Sequence, residues 1–111
     1  MTSPSGNDLR DWLVEGLTDY IGLWQLKPPS GPPYQLREQT LATVRAMLLS
    51  GWFQTGQLTK DGGFEASGES PEWTLARIAR DWAVTPDPGA YEMSVWFALT
   101  SEGEERARAL K

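Results

Sequence analysis

Neither cysteine nor histidine occurs among the 111 residues of this chain. The first absence excludes disulfides, Cys-ligated zinc, iron–sulfur clusters and thiol catalysis. The second removes the commonest general base and the commonest transition-metal ligand, and with them any Ser-His-Asp triad or HExxH site. Cations are scarce: 10 Lys and Arg face 15 Asp and Glu, a formal net charge of −5. That balance argues against nucleic-acid affinity, which rests on neutralising phosphates. Long apolar runs are missing too, since the longest, Val95 to Leu99, has five residues. It is too short for a membrane span or a signal-peptide core, so the expectation is a cytoplasmic protein with no membrane partner.

What is present is the composition of one small globular domain over residues 1–111, 40% hydrophobic and 23% charged. Residues 1–7, rich in Ser, Pro and Gly, are expected to be a loose lead-in. A chain of this length buries about two-thirds of its unfolded surface, so it needs no metal or cofactor to fold, and none is expected. The charge is unevenly placed. Five acids balance five bases over residues 1–60, whereas residues 61–105 carry ten acids against Arg77 and Arg80 only. Arg106, Arg108 and Lys111 then return positive charge at the end. The second half therefore presents a negative field, read either as a solubilising surface or as a complement to a basic partner.

Periodicity divides the chain into elements. Leu9, Trp12, Leu13, Leu17, Tyr20, Ile21 and Trp24 keep helical spacing over four turns, with Asn7 as N-cap and Gly16 and Gly22 as weak points. After the proline-rich 28–33 connection, a second helix spans about 35–50 with Leu41, Val44 and Leu48 on one face and Gly51 as its left-handed cap. From Trp52 the period becomes two. Residues 52–58 and 64–66 form a hairpin around Asp61-Gly62, which supplies the positive φ of the turn. Ser70-Pro71-Glu72 opens a third helix with the stripe Leu75, Ile78, Ala79 and Trp82. Residues 91–99 alternate as a strand, and Ser101 with Glu104 suits a capping box for a last helix. The fold class is α+β, three to four helices with a small antiparallel sheet in the order α-α-β-β-α-β-α.

A helix ending at Ser50-Gly51, a hairpin directly after it, and a return strand "WFALTSEGEERA" with Leu-Thr-x-x-Gly at its end resemble winged-helix domains over about residues 36–107. The segments "LLSGWFQTGQL", "GGFE" and "SPEWTLARIARDW" are similar to small, mostly uncharacterised bacterial proteins. The resemblance implies a winged-helix-like fold and no catalytic residue. Two features depart from a DNA-binding winged helix: no separate helix lies between the first two, and an acidic helix interrupts the wing strands.

Six tryptophans are the most unusual content. Trp12, Trp24 and Trp82 lie on apolar stripes and are expected in the core. Trp73 and Trp96 lie off those stripes and are candidates for an exposed anchor or for a second packing layer. Helix two carries only Arg37 and Arg45, and the hairpin turn sets Lys60 beside Asp61, a weak phosphate footprint. The glycine pairs lack the GxxxxGK[ST] and GxGxxG contexts and serve turns. The 61–65 turn lacks calcium-loop spacing, and helix capping accounts for most remaining acids. The chain thus reads as a non-enzymatic bacterial interaction protein. Its most concrete form is an immunity or antitoxin-type inhibitor of a basic toxin such as a nuclease. The expected partner-binding residues are Asp61, Glu65, Glu69, Glu72 and Trp73, with Asp87 and Glu92 as outer members. The alternatives are a winged-helix DNA-binding regulator and a phage or defence accessory protein.

Overall fold

A computed structural model of the chain describes residues 9–110. The order of elements is α1 (Arg10–Gly16), β1 (Ile21–Gly22), a 3-10 turn (Leu23–Leu26), α2 (Pro33–Leu49), β2 (Phe53–Leu58), β3 (Phe64–Ala66), α3 (Pro71–Val84), α4 (Pro88–Glu92), β4 (Trp96–Leu99) and α5 (Ser101–Leu110). The four strands form one antiparallel sheet ordered β1-β4-β2-β3. The fold is α+β, with the expected order of main elements and two small additions, β1 and α4. No helix of the described residues is long and apolar enough to cross a membrane.

The elements form for local reasons that the residues supply. In α2, Pro33 stands in the first turn, where a missing N–H costs nothing. Thr40, Thr43, Val44, Met47 and Leu48 make its buried stripe. Gly51, at φ +79°, ends it as expected. The hairpin turns through Gly62 at φ +85°, so the Asp-Gly signal is correct. Ser70 caps α3, its hydroxyl accepting from the Trp73 N–H at 3.2 Å.

Three expectations are corrected. The first helix stops at Gly16 rather than running to Trp24, because Ile21 and Gly22 are drawn out to pair with Phe97 and Trp96 of β4. Strand pairing satisfies the same apolar residues and overrides a helical periodicity already weakened by two glycines. Trp24, expected in the core, is consequently 47% exposed. Second, the strand expected over 91–99 shortens to Trp96–Leu99. Asp87 and Pro88 provide a cap and a first helical residue, and residues 88–92 coil into α4. Third, the cap of α5 is Thr100, one residue before the expected Ser101: its hydroxyl accepts from the Gly103 N–H at 3.1 Å. The expected Asn7 cap lies outside the described residues.

The core lies on the sheet face that carries Ile21, Phe53, Phe97 and Leu99, joined by Leu13, Leu23, Val44, Met47, Ile78, Trp82 and Val95. Trp82 is buried as expected, and Trp12 packs against this cluster half-buried. On the other face, Tyr20 stacks on Phe64 with ring centroids 5.3 Å apart. Helix α5 is pinned to the end of α2 through Thr100, whose hydroxyl donates to the Gly51 carbonyl at 2.7 Å and whose N–H donates to the Trp52 carbonyl at 2.9 Å. Gly103 makes this approach possible: a Cβ there would sit 2.1 Å from the Trp52 oxygen. Gly103→Ala therefore sets a helix-propensity gain of about 1 kcal/mol against overpacking of roughly 1–3 kcal/mol on a backbone atom that cannot swing aside. We expect overpacking to win, with a net loss of stability in urea denaturation.

Candidate functional site

The start of α3 is organised by one carboxylate. Glu69 precedes the helix by two residues, so its side chain reaches along the first two turns to positions four and eight residues on. There it accepts from the Trp73 indole Nε1–H at 2.9 Å and from Arg77 through Nε at 3.1 Å and Nη2 at 2.9 Å. The buried Thr74 hydroxyl adds a longer donation at 3.3 Å. The Arg77 guanidinium, with the Trp73 and Thr74 donors behind it, holds the Glu69 carboxyl below its ordinary value. The same pairing raises Arg77.

This clamp fixes a large aromatic side chain in water. Trp73 is 57% exposed, yet its indole N–H is engaged by Glu69 at 2.9 Å. Next to it, Glu72 and Ala76 line a groove between α2 and α3 of about 340 Å³, walled by Leu48, Leu49, Leu75 and Ala79. Leu49 is itself half exposed. One acid, Glu72, and one cation, Arg45, stand among the apolar walls of the groove.

The expected site residues are dispersed by the fold. Glu69 and Trp73 are bonded, and Glu72 is adjacent to them. Glu65 lies exposed on β3, opposite Gln57. Neither Glu65 nor Glu72 forms an ion pair among the described residues. Asp61 stands in the hairpin turn, accepting from the Thr59 hydroxyl and, at 3.4 Å, from the Gly63 N–H. These bonds, that from Thr59 first, hold its carboxyl below the ordinary value. Asp87 caps α4, accepting from the Ala90 N–H at 3.1 Å. Both are exposed, but their carboxylates serve local turns.

Glu92 requires a correction. It is only 7% exposed, not an outer member of a surface. Its carboxylate meets the Lys27 ammonium at 2.8 Å and accepts from the Trp82 indole N–H at 3.1 Å. Residues 88–92 being helical rather than extended turns this side chain inward, and a buried carboxylate persists only with such partners. Sequence reasoning missed the Lys27 pairing because 65 residues separate the two. It also missed the α2/α3 groove, whose local trace is the small pair Ala76 and Ala79 on α3.

No group of three or more carboxylates converges as a metal-ligand set among the described residues. No family model, curated protein or solved structure matches the chain.

The clamp predicts a pH signature. Because the folded Glu69 carboxyl lies below its ordinary value of 4.5, its contribution to stability is complete above that value and is lost as pH falls toward the lower folded one. In urea titrations at several pH values, wild type should exceed Glu69→Gln by a constant margin at neutral pH. The margin should shrink on acidification below about 4.5.

Proposed function

We propose that this protein is a non-enzymatic interaction module, of the immunity or antitoxin inhibitor type, that docks a basic protein partner on the α3 face centred on Trp73. The observation that carries this reading is an exposed aromatic ring whose indole N–H donates to Glu69 of the Glu69–Arg77 pair. Indole rings bury much area at small entropic cost, and a ring already fixed loses least on docking. The α2/α3 groove, which the adjacent residue Glu72 lines with Arg45 and apolar side chains, adds area that such a partner can cover.

Charge supports the sign of the partner. Arg77 neutralises Glu69, so the negative field comes from exposed acids outside any ion pair among the described residues, Glu72 beside Trp73 on α3 and Glu65 on β3. Exposed acids steer a basic protein toward the face and set association rate more than dissociation rate. The anchor does the reverse. Trp73→Ala should raise the dissociation rate, whereas Glu65→Lys with Glu72→Lys should slow association and flatten its salt dependence, since attraction is screened over about 10 Å at 0.1 M. The experiment captures partners on immobilised wild-type protein and then measures surface-binding kinetics on variants whose circular dichroism matches wild type. A basic partner with these two separable effects supports the reading; unchanged rates in both variants overturn it.

The DNA-binding alternative has little support in the described residues. Arg45 is exposed, but it lines the apolar groove beside Glu72 rather than a cationic stripe. Duplex DNA at 150 mM salt should bind no better than non-specifically, with Kd weaker than roughly 10⁻⁵ M. A titration showing sub-micromolar, sequence-dependent binding that requires Arg37 and Arg45 would favour the regulator instead.

A further inference from the structure

The α2/α3 groove carries a charge pattern of its own. Its apolar walls hold one cation, Arg45 of α2, and one acid, Glu72 of α3. Both are exposed, and neither joins an ion pair among the described residues. The α3 cations Arg77 and Arg80 are by contrast engaged by Glu69 and Asp81 of the same chain.

Helical geometry lays this surface open. At about 100° per residue, Glu72, Ala76, Ala79 and Ala83 share one side of α3, while Thr74, Ile78 and Trp82 face the core. Ala76 and Ala83 are exposed, as are Ala42 and Leu49 on the Arg45 side of α2. Leu49 alone leaves half of its surface to water. Short side chains on α3 let a further helix approach closely.

The two charges decide what can cover the groove. A surface of a single sign satisfies one of them and opposes the other, and an uncharged surface strips water from both without return. The complement is an apolar surface that offers an acid and a base together. This chain presents such a surface in the groove itself. A two-fold axis brings Arg45 of each copy to Glu72 of the other, giving two equivalent ion pairs around one apolar contact. Because the base stands on α2 and the acid on α3, each α2 then lies against the α3 of the other copy. We infer that the groove is a self-complementary interface whose occupant is a second copy of this chain. Leu49, exposed on the groove wall of each copy, becomes buried at the shared contact. The crossed ion pairs set its register, since any arrangement that meets like with like is penalised. Self-association is independent of the docking reading: Trp73 does not line the groove, and a basic partner anchored there leaves Arg45 unanswered.

The test is sedimentation of the full chain from micromolar to millimolar concentration, with circular dichroism recorded on each variant. Wild type should pass from monomer to dimer as concentration rises. Arg45→Glu sets acid against acid in both pairs, and Glu72→Arg sets cation against cation. Each should weaken self-association by about tenfold or more. Mixed in equal amounts, the two variants should recover a dimer of wild-type affinity, because every pair across the interface is again of opposite sign. The double variant, Arg45→Glu with Glu72→Arg, should dimerise on its own for the same reason. A role of either residue inside its own chain predicts no recovery on mixing. Wild type that stays monomeric throughout, single variants that both dimerise like wild type, or a mixture that remains monomeric overturns the interface. Trp73→Ala should leave self-association unchanged; its loss in that variant would move the contact to the docking face and overturn the groove assignment. The same Trp73→Ala variant is the one expected to release a basic partner faster, so failure of one reading is read separately from failure of the other.

Discussion

The structure depends on where β4 is inserted. This four-residue strand pairs with β1 on one side and β2 on the other, so residues near both ends of the chain meet in one sheet. Phe97 stands fully buried at its centre, across from Ile21 and Thr55. Its insertion forces α1 to end early so that Ile21 and Gly22 can extend. It also leads directly into Thr100, which ties α5 to the end of α2. A short strand can do this because its backbone groups are satisfied on both sides and its inner side chains are apolar.

Several acids of the second half are engaged within the fold, although among the described ion pairs only Lys27 brings a positive charge to them from the first half. Glu69 is neutralised by Arg77, Asp81 meets Arg80 at 3.2 Å, and Glu92 is buried against Lys27. Asp61 and Asp87 hold turns. Glu65 on β3 and Glu72 on α3 remain exposed and outside any ion pair among the described residues. Steering needs only a few exposed charges, whereas residence depends on desolvated anchors.

The clamp also joins two surfaces. Glu69 orients Trp73 on the solvent side, and its partner Arg77 lines the polar pocket behind. One ion pair thus borders both the exposed indole and the pocket, with the buried Thr74 hydroxyl as its third support.

Signals that act over a few residues were legible in the sequence. They include the Ser70-Pro71 start of α3, the Gly51 stop of α2, the Asp61-Gly62 turn and the buried stripe through Val44 and Leu48. Each rests on a cap, a positive φ or a periodicity that neighbouring residues satisfy by themselves. Tertiary structure decided everything that needed a distant partner. It converted Ile21–Gly22 from helix to strand, brought Trp24 out of the core and turned Glu92 inward onto Lys27. It likewise set Thr55 and Tyr91, 36 positions apart in the sequence, in the lining of one pocket. The local pattern at each of these positions was compatible with two conformations, and pairing energy from residues far along the chain selected between them.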